Sequence, residues 1–245
     1  MDPSGLETRT ARLTIQAEEF AIYDDFLAAN EFAALAAFAN NSNYHEVHEK
    51  GVRKVWRLHD GSPLQGETAY LRADTQLADS QSTTTTSQRA IHNFLARLNE
   101  VVDENSRLIG ERLTRWKSVS AAPWIYPSGT GLSLHADSSR YSGSYTFFLH
   151  PKWGLHWGGY LMIFNPARYC AETRAPYSAG FVLPWLSDDV ENKEFGDPGV
   201  ATAVFAKPNR LVLIAPSAYH MVPRVDANAG QNTRISIAGF FHTMD

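Results

Sequence analysis

The second half of the chain constrains the fold most, because it consists of short runs that are rich in β-branched and aromatic residues. From about Arg115 these runs are separated by Gly, Pro, Asn and Asp, and they read LTRWKSVSAAPWIY, LSLHA, GSYTFFLH, GGYLMIFN, TAVFA, RLVLIAP and RISIAGFFH. Short strands divided by turn residues in this way are typical of an antiparallel sandwich or a jelly-roll barrel. We therefore expect a β core in this half of the protein.

The first half of the chain is typical of helices. NEFAALAAFAN places Asn30 as an N-cap and puts Phe32 and Leu35 on one face. Apolar residues recur at helical spacing from about Gln88 to Leu113, which predicts a long second helix. Helices followed by strands indicate the α+β class, with a double-stranded β-helix (jelly-roll) core and N-terminal helices packed on its outer face.

The 245 residues contain no internal repeat and no linker, so we expect a single domain over 1–245. We divide it into a tail (1–10), a support region of helices and strands (11–114) and the jelly-roll core (115–242). Within the support region, RKVWRLHDG predicts a strand that ends in an Asp-Gly turn. Residues 167–200 contain repeated Pro and Gly breaks and several aromatic residues, and we interpret them as a lid-like insertion.

Composition excludes several classes of partner. The net charge is −4 and there is no basic run, which argues against a nucleic-acid or membrane-surface binder, and no apolar stretch is long enough to span a bilayer. A single cysteine, Cys170, excludes an intrachain disulfide framework and suits a reducing compartment. The first residues do not resemble a signal peptide, so we expect a cytoplasmic protein. The oligomeric state stays open.

A short motif within the β-rich half points to metal chemistry. His135 and Asp137 follow Leu132 and Leu134, which alternate with polar neighbours as on a strand. Side chains at positions i and i+2 of a strand point to the same face, so this pair can aim two ligating groups at one point. The tripeptide alone is a weak signal, because most His-x-Asp sequences bind no metal.

A second motif points to an anion. Arg234 and Ser236 are also two residues apart on an apolar strand, downstream of His220. A cation at the inner end of a pocket is costly unless it meets an anion, and Arg can bind a carboxylate ligand with two hydrogen bonds. Two alternatives stay open: Arg234 forms a structural ion pair with Asp226, or Ser236 only satisfies backbone groups.

Together these motifs resemble those of a known family. His135-x-Asp137 with a distant His220 resembles the two-His-one-carboxylate triad of non-haem Fe(II), 2-oxoglutarate-dependent dioxygenases. Arg234-x-Ser236 is similar to the motif that holds the far carboxylate of 2-oxoglutarate in that family. The chain is most similar to the prolyl 4-hydroxylase-like branch over residues 20–242, in the segments YDDFL, YPSGTGLSLHAD (with Tyr126) and FFLHPKWGLHWGGYLMIF.

The resemblance implies a complete site. Fe(II) would be held by His135, Asp137 and His220, and the cosubstrate 2-oxoglutarate by Arg234, Ser236 and Tyr126. O2 would be the oxidant, succinate and CO2 the coproducts, ascorbate a possible stimulant, and no catalytic residue beyond the metal centre is expected. Related halogenases have a small residue where this chain has Asp137, so the resemblance favours hydroxylation of an unactivated C–H bond over chlorination.

The resemblance leaves the substrate open. It favours proline in a peptide or protein, or an amino-acid-like small molecule, and the lid-like insertion inclines us to a biosynthetic tailoring enzyme; desaturation or ring formation stays possible. Our candidate substrate residues are Arg140, Tyr145, Trp153, Tyr160 and Arg224. Two positions depart from the family pattern: His150 replaces a common asparagine, and Tyr160 replaces a common acidic residue.

Other classes of function also stay open. The chain can be a non-catalytic jelly-roll module that binds a metal or 2-oxoglutarate, or a zinc or manganese enzyme of the cupin type. A second cluster, His45, Glu46, His48 and Glu49, has a spacing that fits neither a zinc-protease helix nor a zinc finger, and we interpret it as a solvated face.

Overall fold

The computed structural model describes residues 11–49, 56, 58–75, 86–164, 199–216 and 218–244. The predicted tail (1–10), Cys170 and nearly all of the predicted lid lie outside these described residues. Among the described helices, none combines the length and the apolar character that a membrane span requires.

Two antiparallel sheets form the β core of the described chain. The larger sheet has the strand order β1-β2-β11-β8-β13-β6-β4-β3, with β5 also paired to β6. Its strands are β1 (Arg12–Gln16), β2 (Phe20–Asp24), β3 (His45–Glu46), β4 (Leu64–Gln65), β5 (Ala69–Arg72), β6 (Trp116–Tyr126), β8 (Tyr141–Phe148), β11 (Leu211–Ile214) and β13 (Arg234–Thr243). The smaller sheet has the order β10-β9-β12-β7, from β7 (Leu132–His135), β9 (Leu161–Phe164), β10 (Ala201–Val204) and β12 (His220–Val222).

Alternation along the strands divides the core into two layers. On β8, Phe147 packs into the cluster shared with the helices, whereas Phe148 packs into the cluster between the two sheets. On β11, Leu213 and Val212 divide in the same way. Successive side chains of a strand point to opposite faces, so the larger sheet is buried on both sides at these central strands. The predicted α+β jelly-roll class is confirmed.

The helices cover the outer face of the larger sheet. They are α1 (Ala29–Asn40), α2 (Thr86–Glu104) and a single turn, α3 (Ser106–Ile109). α1 packs against α2, and Leu35 of α1 and Phe94 of α2 are completely buried in the outer core layer. The apolar stripe predicted for each helix therefore faces the sheet, as expected for an amphipathic surface helix.

Two details of the helix prediction are wrong. α1 begins at Ala29, so Asn30 is not its cap; Ala28 is in the cap position, and its N–H donates to the Glu31 carboxylate at 3.1 Å. The second helix ends at Glu104 and not at Leu113. The buried Asn105 side chain donates to the Val101 carbonyl at 2.7 Å, which satisfies one of the carbonyls that a helix end leaves free.

The strand register brings distant motifs together. β12 pairs with β7 so that His220 lies opposite His135, and β13 pairs with β6 so that Arg234 lies opposite Tyr126. The first pair belongs to the smaller sheet and the second to the larger sheet. Because the two sheets face each other, both pairs are directed toward the space between them.

Candidate metal centre and anion pocket

The side chains of His135, Asp137 and His220 lie close to one another at the cavity between the sheets. The distance from His135 Nε2 to Asp137 Oδ1 is 3.7 Å, and that from His220 Nε2 to Asp137 Oδ2 is 3.9 Å. One ligand atom from each residue lies within 4.8 Å of the other two. Three donor atoms at this separation can bind a single metal ion.

Hydrogen bonds to the backbone orient both imidazoles. His135 Nδ1 lies 2.8 Å from the Ser133 carbonyl, and His220 Nδ1 lies 2.9 Å from the Ala218 carbonyl. A carbonyl oxygen only accepts, so each Nδ1 must donate, and a neutral imidazole with its proton on Nδ1 has its lone pair on Nε2. Both lone-pair nitrogens therefore face Asp137, as metal ligands require.

The chemistry of the donor set fits Fe(II). Two imidazole nitrogens and one carboxylate on one side of the metal leave the remaining coordination positions open, which is the arrangement of non-haem Fe(II) oxygenases. Within the described ranges, this triad is the single group of His, Cys, Asp or Glu side chains close enough to share a metal. Cupin-type sites are usually richer in histidine than this group.

Arg234 is a buried cation that faces the same space. It is 2% exposed, its Nε donates to the Gly159 carbonyl at 2.8 Å and its Nη1 donates to Ser236 Oγ at 3.3 Å. No Asp or Glu in the described part of the chain forms an ion pair with it. Burial lowers the pKa of the guanidinium to about 10, so it still carries its charge at neutral pH. A buried charge of this kind needs an anionic partner, which a ligand carboxylate can supply.

The alternative ion pair with Asp226 is not formed. The Asp226 carboxylate instead accepts the Asn228 N–H at 2.8 Å, at the start of a 3-10 turn. Ser236 is not confined to backbone groups either, since its Oγ accepts the hydrogen bond from Arg234. Both observations favour the anion-binding interpretation of the Arg-x-Ser motif.

Tyr126 lies beside the guanidinium. The Arg234 Cζ atom is 5.0 Å from the centroid of the Tyr126 ring and 5.0 Å from that of Phe148. Burial raises the pKa of Tyr126 to about 12, against an opposing contribution from the charge of Arg234. The phenol thus keeps its proton at neutral pH and can donate a hydrogen bond to an anion held by Arg234.

One cavity of about 340 Å³ connects the triad with the buried arginine. All six residues predicted for the metal and the cosubstrate line it. The remaining lining residues are mostly apolar or aromatic, as is common for small-molecule sites: Trp56, Gln65, Trp124, Leu132, Ala136, Ser138, Tyr141, Ser144, Tyr145, Thr146, Leu161, Ile214, Val222, Ala238, Gly239 and Phe240.

The predicted substrate residue Tyr145 is directed away from the triad. Its ring centroid lies 5.8 Å from that of Phe94 in α2, and its hydroxyl donates to the Ser120 carbonyl at 2.8 Å. The side chain belongs to the core layer between the larger sheet and the helices. Tyr145 borders the cavity from this layer, and its role in substrate binding stays a prediction.

The other predicted substrate residues do not line the cavity. Trp153 is buried, and its Nε1 donates to the Gly158 carbonyl at 2.9 Å, while the Tyr160 hydroxyl donates to the Leu155 carbonyl. Arg140 and Arg224 are exposed. None of these four side chains lines the cavity in this structure, and their role in substrate binding stays a prediction.

Several cavity residues were missed by the sequence analysis. Trp124 precedes Tyr126 by two positions, and Phe240 follows Arg234 by six, so strand alternation could have predicted both. Ser144 and Thr146 alternate with the buried Phe147 in the same way. Trp56 had no such signal; its ring stacks on Trp124 at a centroid distance of 5.0 Å only through the tertiary fold.

Two further histidines and the second acidic cluster do not line the cavity. His150 is buried, with Nε2 2.6 Å from the Ala206 carbonyl, and His156 is exposed. His45 and Glu46 form β3, which pairs with β4, and the Glu46 carboxylate accepts a hydrogen bond from Ser62 at 2.9 Å. The predicted solvated face is wrong for His48, because both of its ring nitrogens are buried and have no hydrogen-bond partner among the described residues.

Comparisons with known proteins establish the fold. No family model matches the sequence, and no curated protein matches it. Among solved structures, a prolyl-4-hydroxylase from Pseudomonas putida aligns with a TM-score of 0.55 and 19% identity over 92% of this chain and 94% of its own. A prolyl hydroxylase from Trichoplax adhaerens, in complex with a hypoxia inducible factor oxygen degradation domain peptide fragment, aligns with a TM-score of 0.56 and 15% identity over 93% and 84%. An oxidoreductase of the 2OG-Fe(II) oxygenase family from Burkholderia pseudomallei aligns with a TM-score of 0.51 and 12% identity over 94% and 93%.

This chain therefore has the fold of prolyl 4-hydroxylase-like 2-oxoglutarate and Fe(II) oxygenases over nearly its whole length. The fold resemblance stated from the sequence is confirmed. At these identities the likeness concerns the fold, and the activity has to be argued from the site.

Proposed function

We propose that this protein is an Fe(II)- and 2-oxoglutarate-dependent dioxygenase that hydroxylates an unactivated C–H bond of an amino-acid-like small molecule or a peptidyl residue. One observation carries the proposal. A buried guanidinium with no acidic partner among the described residues shares a single cavity with two imidazoles and a carboxylate. A dicarboxylate that chelates a metal through one end and needs a cation at the other fits both halves of this cavity.

The residues of the chain have separate tasks in this function. His135, Asp137 and His220 would hold Fe(II), and the backbone bonds on Nδ1 keep both imidazoles in the ligating tautomer. Arg234 would bind the far carboxylate of 2-oxoglutarate with the hydroxyl of Tyr126 beside it. When bound, Fe(II) and 2-oxoglutarate supply the power to oxidise an unactivated C–H bond with O2, releasing succinate and CO2.

The walls of the cavity support this chemistry. Trp124, Ile214 and Val222 are buried apolar side chains that line it and limit the access of water. A cavity with a low dielectric strengthens the interaction of Arg234 with an anion and protects a reactive centre from side reactions. The protein thus contributes positioning and exclusion of water, which is its usual share in cofactor-dependent oxidation.

The substrate would bind at the end of the cavity that lies away from Arg234. Along β13, Arg234, Ser236, Ala238 and Phe240 line the cavity at two-residue intervals, so Phe240 lies about 20 Å from Arg234 along the strand. The ring of Phe240 stacks on that of Tyr141 at a centroid distance of 4.2 Å. Such an aromatic wall suits an aliphatic ring, which supports proline as the favoured residue.

Two roles compete for the same chemistry. A biosynthetic tailoring role on a small molecule or short peptide is our first proposal. A protein prolyl hydroxylase is the second, favoured by the Trichoplax adhaerens structure, which contains a peptide fragment. Turnover of free amino acids, prolyl peptides and prolyl proteins, measured as succinate formation with and without ascorbate, would separate the two roles.

The first test is an anaerobic titration of the purified protein with Fe(II) and then 2-oxoglutarate. We expect the weak visible charge-transfer band of a chelated Fe(II)–2-oxoglutarate complex in the wild type, its loss in Asp137→Ala and its retention in a control, Asp226→Ala. A folded, metal-bound wild type that shows no band would contradict the oxygenase proposal. A band without succinate formation on any substrate would favour a non-catalytic 2-oxoglutarate-binding module.

A further inference from the structure

A buried carboxylate outside the triad holds the strand that carries His135. Asp60 ends a 3-10 turn, Leu58–Asp60, so the strand predicted here is wrong over these residues, and Asp60 is 3% exposed. Its Oδ2 accepts two hydrogen bonds from Ser133 of β7, from the N–H at 3.1 Å and from Oγ at 2.7 Å. The backbone makes a third contact, because the Gly131 N–H donates to the Asp60 carbonyl at 2.9 Å.

The turn after Asp60 is shaped for this contact. Gly61 has φ +70°, a conformation that side chains rarely adopt. A Cβ at this position would lie 3.1 Å from Thr130 Cγ2 and 3.2 Å from the Gly129 carbonyl oxygen. The predicted Asp-Gly turn therefore packs directly against the segment that leads into β7, and glycine permits the close approach.

Ser133 connects Asp60 with the metal centre. Its N–H and hydroxyl are bound by Asp60, and its carbonyl accepts the Nδ1–H of His135 at 2.8 Å. His59 adds a contact, with Nε2 3.2 Å from Ser133 Oγ. A shift of Ser133 would therefore turn the His135 ring and move its Nε2 away from Asp137.

We propose that Asp60 is a positioning residue for the metal centre, which acts on His135 through Ser133. The inference rests on the proposed function in one respect, namely that His135 binds the metal. Groups that orient a metal-bound histidine typically contribute 10–100-fold to metal affinity. Two hydrogen bonds to one carboxylate oxygen hold Ser133 more firmly than a single bond would, because each restrains a different atom of the residue.

The test compares four variants by Fe(II) affinity, measured anaerobically without 2-oxoglutarate. Asp60→Ala removes both hydrogen bonds, Asp60→Asn keeps one acceptor oxygen of the same shape, and Ser133→Ala removes only the hydroxyl bond. Asp226→Ala is the matched control, since its carboxylate also accepts a backbone N–H, that of Asn228, but in an exposed turn. The melting temperature of each apoprotein and the 15N shifts of the His135 ring are recorded alongside.

We expect Asp60→Ala to weaken Fe(II) binding by roughly 10–100-fold and to shift the His135 ring nitrogens. Asp60→Asn should restore most of the affinity, Ser133→Ala should give an intermediate loss, and Asp226→Ala should leave the affinity unchanged. A lower melting temperature with an unchanged Fe(II) affinity in Asp60→Ala would overturn the proposal, because it would show a structural role alone.

Two further outcomes are decisive. If Asp60→Ala does not fold, Ser133→Ala decides, and an Fe(II) affinity equal to that of the wild type overturns the positioning role. A wild type that binds Fe(II) but forms no complex with 2-oxoglutarate contradicts the proposed function alone, since the affinity comparison still applies. A wild type that binds no Fe(II) overturns both proposals.

Discussion

His220 lies directly opposite His135 across the β12–β7 ladder, and the centroids of the two rings are 4.4 Å apart. Each imidazole donates its Nδ1–H to the carbonyl of the residue two positions earlier, Ser133 for His135 and Ala218 for His220. The same local pattern on two paired strands therefore directs both Nε2 atoms toward one carboxylate, Asp137.

Removal of either histidine should abolish tight Fe(II) binding, because two remaining ligands cannot hold the metal on one face. We expect His135→Ala and His220→Ala to lose Fe(II) in anaerobic equilibrium dialysis while keeping the wild-type circular dichroism spectrum. His156→Ala is the control, since His156 is exposed and does not line the cavity. Wild-type Fe(II) affinity in His220→Ala would rule out its role as a ligand.

Arg234→Ala should weaken 2-oxoglutarate binding by about 2–4 kcal/mol, because it removes the buried charge that would pair with the far carboxylate. The 2-oxoglutarate affinity of Arg234→Lys should lie between those of Arg234→Ala and the wild type, since lysine keeps the charge but not the planar pair of donors. The affinity is read from the charge-transfer band during anaerobic titration.

The Fe(II) affinity of Arg234→Ala serves as the internal control and should stay unchanged. Arg224→Ala is the external control, because Arg224 is exposed and lies outside the cavity lining. An unchanged 2-oxoglutarate affinity in Arg234→Ala would show that the anchor is assigned to the wrong residue.

Gly159→Ala should disturb the anion pocket without touching the cavity directly. Gly159 has φ +63°, and a Cβ there would lie 3.0 Å from Arg234 Cδ, whose Nε also donates to the Gly159 carbonyl. Gly230 is the matched control, with φ +58° and no atom within 4 Å of an added Cβ. Both alanine variants carry a positive-φ penalty, but only Gly159→Ala should weaken 2-oxoglutarate binding. Equal affinities in the two variants would contradict this link between the glycine and Arg234.

His150 should make the fold sensitive to acid. Burial, together with the nearby charge of Arg234, lowers its pKa from 6.5 to about 4, against the opposing effect of its hydrogen bonds to the Ala206 and Ile235 carbonyls. Between these two pH values the His150 imidazole is protonated in the unfolded chain but not in the folded protein. The stability is therefore complete above pH 6.5 and falls as the pH drops toward 4, by about 3 kcal/mol at most for this group.

His150→Asn tests this prediction, because asparagine does not titrate and can keep one hydrogen bond. Free energies of unfolding from urea titrations at pH 7 and pH 4.5 should differ less in this variant than in the wild type. His156→Asn is the control and should keep the wild-type pH dependence, since the side chain is exposed. An equal loss of stability in His150→Asn and the wild type would exclude His150 as the cause.

The sequence predicted much of the site because its motifs depend on local spacing. His135 and Asp137, and Arg234 and Ser236, are each two residues apart, and strand geometry places such pairs on one face whatever the rest of the fold does. Spacing could not tell which face of a strand meets the helices. The sequence therefore does not reveal that the ring of Tyr145 packs against Phe94 in the outer core layer.

Helix ends were also beyond the local pattern. Apolar residues continue past Glu104 at helical spacing, so periodicity alone predicts that the second helix extends to Leu113. In the structure the buried Asn105 side chain bonds to the Tyr23 hydroxyl of β2 at 2.6 Å as well as to the helix backbone. A contact with a distant strand thus helps to decide where this helix ends.

The sequence by itself determined the types of chemical group, the α+β class and the alternation of each strand, all of which follow from neighbours along the chain. Only the tertiary structure decided that His220 faces His135, that Arg234 faces Tyr126 and that Asp60 binds Ser133. These pairings join residues far apart in sequence, and their register is set by the packing of two whole sheets. A local pattern carries no information about that packing. The residues of the site could therefore be proposed from the sequence, but their spatial arrangement is determined by the tertiary fold.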